Sequence, residues 1–206
     1  LIACAKHFIG YGASEGGRDY HRTEISDYSL YNYYIPAFRA AINAGVGTVM
    51  SSFNDINGQP VTSGRKYLTD ILRGKLGFEG FVVSDYDAVE QLIKQGVAEN
   101  AEECAVLAVN AGVDMDMFDE FYIDRLESAA EKGLVSENTL DLAVKRVLRV
   151  KMAYGLFEKP MRKAVLYDRG EHLLNARRLA AKSIVLLKNE NGLLPLSYNK
   201  KISALG

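Results

Sequence analysis

A chain of 206 residues with 25 Lys and Arg against 26 Asp and Glu carries a formal net charge of -1. That balance excludes the broad positive field that nucleic acid or an acidic membrane surface calls for, so neither is expected as a partner. Hydrophobic residues make up 48%, ordinary for a protein with a buried core, and no stretch is long and apolar enough to span a membrane.

The first apolar run, residues 1–8, reads as a buried strand that ends in Lys6 and His7. A glycine-bearing loop, GYGASEGGRDYHRTE, follows it, and then a helical pattern over 30–43 with a break or kink expected at Pro36. A second strand, 46–51, leads through Ser52, Phe53 and Asn54 into the loop NDINGQPVTSGR and a short helix over 67–76. The third, 81–84, runs straight into Asp85 and Tyr86; helical spacing resumes over 88–94 and, after the turn GVAEN, over 101–111. The fourth, 113–117, carries Asp114 and Asp116 and precedes helices over 121–132 and 137–154, the latter with Ser136 at its N-cap. From Glu158 the character changes to a polar, proline-containing stretch. A helix over 171–183, a strand over 184–188, a turn over 189–192 and a new strand near Ile202 come after it.

Strands that alternate with helices specify a parallel sheet with helices outside it. The spacing suits a (β/α)8 barrel or a doubly wound sheet, and the missing GxGxxG after a strand weighs against a dinucleotide site. Four βα units are about half of a barrel. The expected fold is therefore α/β: the later half of a (β/α)8 barrel over 1–157, then a linker and the beginning of an α/β sandwich domain over 158–206. With no initiator Met and a strand at each end, the sequence reads as an internal piece of a longer chain. Cys4 and Cys104 read as small buried hydrophobes, and neither stands in a metal-ligand spacing.

In parallel α/β proteins the working residues stand at the C-terminal ends of strands. That filter selects Lys6, His7, Ser52, Phe53, Asn54, Asp85, Tyr86, Asp114 and Asp116 as groups converging on one mouth. By residue type, Asp85 is equally a helix N-cap and a functional carboxylate, nucleophile or general base; the neighbouring cations at Lys6 and His7 favour the functional reading. Arg18 and Asp19 are either a surface ion pair or groups leaning over the mouth, where a guanidinium offers a rigid donor fork. The run DMDM at 114–117 reads as a loop closure rather than a metal site. Lys6 at a strand end also fits a Schiff-base aldolase, and a carbohydrate-binding barrel without turnover fits the same residues.

Taken in order, AKHFIGYGASEGGRDY, GVGTVMSSFNDINGQP, GFEGFVVSDYDAV, AGVDMDM, LDLAVKRVLRVKMAYGLFEKP and SIVLLKNENGLLPL resemble glycoside hydrolase family 3 over nearly the whole chain, most of all its periplasmic β-glucosidase branch. The resemblance implies a retaining, exo-acting β-glycosidase that needs no cofactor or metal, takes an oligosaccharide or glycoside, and works in the periplasm or outside the cell. It implies Asp85 as the nucleophile and Lys6, His7 and Arg18 as ligands of sugar hydroxyls. Tyr86, where the family often has Trp, would line the first sugar subsite, and Phe53 stands where a tyrosine is common. The acid/base glutamate is expected beyond Gly206, with Glu15 a distant second. The loop GYGASEGG lacks the His and Asp of the N-acetylglucosaminidase branch, which argues against that activity and against phosphorolysis.

Overall fold

The computed structural model describes residues 1–158 and 168–203. The chain divides into two compact units, Leu1–Met161 and Arg162–Gly206.

The first unit contains strands β1 (Cys4–Phe8), β2 (Thr48–Ser51), β3 (Asp55–Ile56), β4 (Gln59–Pro60) and β5 (Phe81–Val83). β1, β2 and β5 form a parallel sheet in the order β1-β2-β5, and β3 and β4 form a separate antiparallel hairpin. Val49 and Val82 are fully buried at the centre of the sheet, and Leu68, Leu72, Leu92, Cys104 and Val113 pack in the same core. Gly80 lets β5 start close to β2, because a Cβ there would come within 2.2 Å of the Gly47 carbonyl oxygen.

The ladder between β1 and β2 is irregular. Ala5 opposes Val49 and Phe8 opposes Ser51, so β1 fits an extra residue between these pairs, at Lys6 and His7. An inserted residue of this kind bends the strand and re-aims its side chains.

The expected fourth strand, 113–117, is reduced to a single parallel bridge between Val83 and Met115. Its carboxylates take backbone N–H groups from the surrounding chain. Asp114 Oδ2 accepts from Val82 N at 2.7 Å, and Asp116 accepts from the N–H groups of Phe118, Asp119 and Tyr122. Asx-type bonds like these compete with a ladder.

The helical run after the first loop has three parts: α1 (Asp27–Ser29), a widened π-type turn over Leu30–Tyr34, and α2 (Ile35–Asn43). Pro36 stands in the first turn of α2, and the wide turn lies directly before it. A proline ring would clash with the carbonyl four residues back, and the widening relieves that crowding. The short helix expected over 67–76 is present as a π-type helix, Lys66–Lys75. α3 (Gln91–Lys94) is only one turn, and α4 (Ala101–Ala111) matches the expected span. Asn100 Oδ1 accepts from Glu103 N at 3.0 Å and Glu103 Oε2 from Glu99 N at 2.7 Å, a reciprocal cap that fixes where α4 begins. Gly112 ends it at φ 114°, a left-handed conformation suited to glycine. α5 (Phe121–Glu131) and α6 (Glu137–Ala153) follow, and Ser136 Oγ caps α6 by accepting from Thr139 N at 3.1 Å.

In the second unit α7 (Arg169–Ser183) is capped by Asp168, which accepts from Gly170 N and Glu171 N. Residues 184–188 do not form the expected strand: Ile184, Val185, Leu186 and Leu187 are exposed and pair with no strand among the described residues. The turn at 189–192 is present as a 3-10 segment, Glu190–Gly192. No strand forms over 201–203; the rest of that expected strand, and the linker stretch after Glu158, lie outside the described residues. No helix of the described residues is long and apolar enough to cross a membrane.

Candidate active site

Asp85 follows β5 after one intervening residue, Ser84, and is 8% exposed. Its Oδ1 accepts from Tyr86 N at 2.7 Å. Its Oδ2 is buried, has no hydrogen-bond partner, and lies 3.1 Å from His7 Nε2 outside hydrogen-bonding alignment. Asp85 caps no helix. The residues after it form turns, and α3 starts only at Gln91, with Glu90 at its N-cap. The capping role that the sequence left open is therefore not the one it plays.

His7 stands on the irregular stretch of β1. Burial pushes its imidazole below the ordinary value; Asp85 pulls it back up, Lys6 lowers it further and Asp19 opposes Lys6. The net direction is down, so the ring is neutral at neutral pH. Lys6 itself is exposed rather than buried against a carboxylate, and it makes no ion pair among the described residues. Cys4, on the same strand, is exposed as well, unlike the expected buried hydrophobe, while Cys104 is buried as expected.

An aromatic group surrounds His7. Phe53 is 7% exposed, stacks on Tyr20 with ring centroids 4.1 Å apart, and meets Tyr11 edge-on at 4.8 Å. Tyr11 in turn stands edge-on to His7 at 5.3 Å. Its hydroxyl donates to Asp19, and that bond, with burial, pushes the phenol up to about 12. Burial also raises the Tyr20 phenol, and the charges of Asp19, Asp85 and Asp87 add to the rise. Tyr11, Asp19 and Tyr20 thus belong to the site, although sequence reasoning singled out only Asp19 among them. Their sequence signal is two tyrosines in a glycine-rich loop directly after the Lys-His pair.

Hydrogen bonds from Thr23 to Asn57 hold that loop in place. Thr23 N donates to Asp55 O at 3.1 Å, and the Asn57 side chain bonds both the N–H and the carbonyl of Ile25 at 2.9 and 2.8 Å. Arg18 and Asp19 do not pair. Asp19 is occupied by Tyr11 and the N–H of Tyr20, and Arg18 is exposed with no ion pair among the described residues. Glu15 pairs with Arg22 at 3.1 Å.

The Ser52 hydroxyl and the Asn54 amide nitrogen are both taken up by backbone carbonyls, while the buried Asn54 Oδ1 has no hydrogen-bond partner. Ser52 Oγ donates to Ile9 O at 3.1 Å, and Asn54 Nδ2 donates to Asp55 O at 3.0 Å. Asp114 also leaves the expected group. Its side chain is 1% exposed and accepts from Arg73 at 2.5 Å and Arg146 at 2.8 Å. Asp116 closes its own loop, as the DMDM pattern suggests. Tyr86 is 47% exposed and stacks on Phe118, with centroids 4.3 Å apart and planes 26° from parallel.

A buried carboxylate oxygen with no hydrogen bond, a neutral imidazole, an exposed lysine on β1 and an exposed arginine on the loop after it are groups that can bind and attack a neutral, hydroxyl-rich molecule. Residues 1–150 match the Glycosyl hydrolase family 3 N terminal domain, and the chain belongs to that family. It is 39% identical to the periplasmic beta-glucosidase of Salmonella typhimurium, covering 100% of this chain and 28% of that protein. It is 38% identical to a beta-xylosidase of Formosa agariphila, covering 97% of this chain and 30% of that one. Among solved structures, the beta-glucosidase from Listeria innocua in complex with glucose superposes with a TM-score of 0.85 at 42% identity, over 96% of this chain and 28% of that chain. The chain thus spans less than a third of these relatives.

Proposed function

We propose that this chain carries the nucleophile half of a retaining β-glycosidase that removes terminal β-D-glucosyl residues from oligosaccharides or glycosides, in the periplasm or outside the cell. The observation that carries the reading is Asp85 Oδ2: buried, without a hydrogen bond, and beside a neutral His7 at a strand end. An oxygen held in this way keeps a lone pair for an electrophile. It attacks the anomeric carbon while the leaving oxygen departs with a proton from a second carboxyl group about 5–5.5 Å away. That group then deprotonates a water, which attacks the same carbon, breaks the glycosyl–Asp85 ester and releases sugar of the original configuration.

In this reading Lys6, His7 and Arg18 bind the hydroxyls of the first sugar, and Phe53 and Tyr86 wall its subsite. The exposure of Lys6 and Arg18 leaves both cations available for a ligand. Glu15 is tied to Arg22, which supports a second carboxyl from outside this chain. Residues 1–157 are the later part of a (β/α)8 barrel, and 158–206 are a linker and the start of an α/β sandwich domain. Support for the barrel comes from His7 and Asp85, which converge although β2 lies between their strands.

Asp85→Ala in the complete protein tests the assignment. Hydrolysis of an aryl β-glucoside falls by several orders of magnitude, and added azide partly restores turnover with a product of inverted configuration. A variant that keeps a large share of its activity contradicts it. A second reading, β-xylosidase specificity, is favoured by the near-equal identity to the Formosa agariphila relative. The ratio of kcat/KM for aryl β-glucoside and β-xyloside separates the two.

A further inference from the structure

A cavity of about 400 Å³ is lined by four cations: Arg73 from the helix Lys66–Lys75, and Lys145, Arg146 and Arg149 from α6. Lys145 and Arg146 precede Arg149 by four and three residues, which puts them on one face of α6. Glu79 lines the cavity with them, and Phe78 gives it an apolar wall, its ring centre 5.6 Å from the Arg73 guanidinium carbon. Phe78 and Glu79 precede β5 whereas Asp85 follows it, so the cavity lies at the other end of that strand from the site described above.

The carboxylates around these cations do not match them in charge. Asp114 is shared by Arg73 at 2.5 Å and Arg146 at 2.8 Å, and one carboxylate against two guanidinium groups leaves a positive charge uncompensated. Burial pushes the Arg73 guanidinium down, Asp114 raises it, and the Arg146 charge lowers it again. Arg73 Nε is buried with no hydrogen-bond partner, and Arg146 donates from Nη1 alone among the described residues. The other two cations have loose partners. Arg149 meets Glu79 at 2.9 Å and Lys145 meets Asp141 at 3.6 Å, and all four side chains are exposed. Exposed pairs of this kind are weak and give way to a stronger anion.

We propose that this cavity binds a phosphate group, free or carried as a monoester by a small molecule. A phosphate brings about −1.5 to −2 charge at neutral pH, enough for the uncompensated charge and for the rim cations as well. Its oxygens accept the paired N–H groups of a guanidinium in a fixed fork. A simple carboxylate brings one charge and leaves the rim cations with their present partners. A cavity of this volume also has room for the organic part of a monoester. The proposal is independent of the glycosidase reading.

The test is calorimetry on the complete protein at fixed ionic strength, since salt screens long-range attraction to cations. The titrants are inorganic phosphate, glycerol 3-phosphate and acetate. Phosphate saturates one site per chain and raises the melting temperature, and acetate does not saturate over the same range. Arg149→Gln weakens phosphate binding about tenfold, the worth of one charged hydrogen bond. Lys145→Gln weakens it less, and Glu79→Gln, which removes a competing carboxylate, strengthens it. These three side chains are exposed, so the variants fold as the parent does. Lys6→Ala and Arg18→Ala leave the affinity unchanged. Tighter binding of glycerol 3-phosphate than of inorganic phosphate assigns the site to a monoester, and equal or weaker binding assigns it to the free ion. No saturable binding, acetate binding as tight as phosphate, an affinity indifferent to Arg149→Gln, or a site lost with Lys6→Ala or Arg18→Ala instead overturns the proposal.

Discussion

Asp85 Oδ2 and His7 Nε2 lie 3.1 Å apart although β2 stands between the strands that carry them. Neighbouring strands are about 4.8 Å apart, so a flat sheet would separate residues two strands apart by roughly 10 Å. The irregularity in β1 at Lys6 and His7 re-aims these side chains, and the His7 and Asp85 side chains meet across β2. The site is therefore a property of the register, and changes to that register should be felt in the chemistry before they are felt in stability.

Lys6→Ala and Arg18→Ala each remove an exposed cation that has no ion pair among the described residues, so neither should cost folding stability. Each is expected to lower kcat/KM for an aryl β-glucoside by about 1.5–3 kcal/mol in barrier terms, the worth of a charged hydrogen bond. Steady-state kinetics together with thermal melting check this. A melting temperature that falls along with activity would assign the residue a structural role instead.

Asp114→Ala leaves the half-buried pair Arg73 and Arg146 with no carboxylate between them and removes the acceptor of Val82 N–H. Burial pushes the Asp114 carboxyl up, and the Arg73 guanidinium first, then the Val82 N–H and Arg146, hold its charge against that. Breaking a buried pair from one side costs about 3–5 kcal/mol. Denaturant unfolding of the complete protein measures it, and a loss under 1 kcal/mol would show that the network is dispensable.

Phe53→Ala deletes a buried ring that Tyr20 and Tyr11 both pack on. Truncating a buried phenylalanine costs about 3–5 kcal/mol. Because the same rings fix the glycine-rich loop, activity is expected to fall further than the remaining folded fraction explains. Phe53→Leu, which refills much of the volume, should recover stability more fully than activity.

Asp119 titrates at about 6, raised by burial first and then by the Asp116 charge, with the Val89 and Glu90 N–H groups opposing the rise. An unfolded aspartate titrates near 3.9. Between those values the folded chain holds the proton more tightly, so this residue's contribution to stability falls as pH rises through that window and stays low above it. Asp119→Asn keeps an acceptor oxygen for both N–H groups and removes the charge. Its melting temperature relative to the parent is expected to climb from pH 4 to pH 7. A difference that is flat with pH, or that shrinks, contradicts the account.

Much of this was legible in the sequence, for stated reasons. α4 lies where its pattern puts it because Asn100, Glu103 and Gly112 fix both ends. Asp85 stands out because a carboxylate ends an apolar run. Other features were hidden. The π-type segments at Leu30–Tyr34 and Lys66–Lys75 are widened by i→i+5 bonds, which the apolar pattern of the sequence does not separate from an ordinary helix. The hairpin of β3 and β4 turns on Asn57 and Gly58, both at positive φ, a two-residue signal that a search for apolar runs passes over. Asp114 shares the strand-end position of Asp85, and only tertiary partners from Lys66–Lys75 and α6 separate a structural carboxylate from a candidate nucleophile. Tyr11 and Tyr20 join the site through a loop whose path is set by long-range bonds to Asp55 and Asn57, which no local pattern encodes.

The most direct measurement of the central claim is covalent trapping. A 2-deoxy-2-fluoro β-glucoside with an activated leaving group forms its glycosyl-enzyme quickly and hydrolyses it slowly, because the fluorine destabilises the positive charge that develops at the neighbouring carbon. Incubated with the complete protein, digested and analysed by mass spectrometry, it should leave one fluoroglucosyl group, on Asp85, and the label should disappear in Asp85→Asn. A label on any other carboxylate, or time-dependent inactivation that survives in Asp85→Asn, would contradict the account.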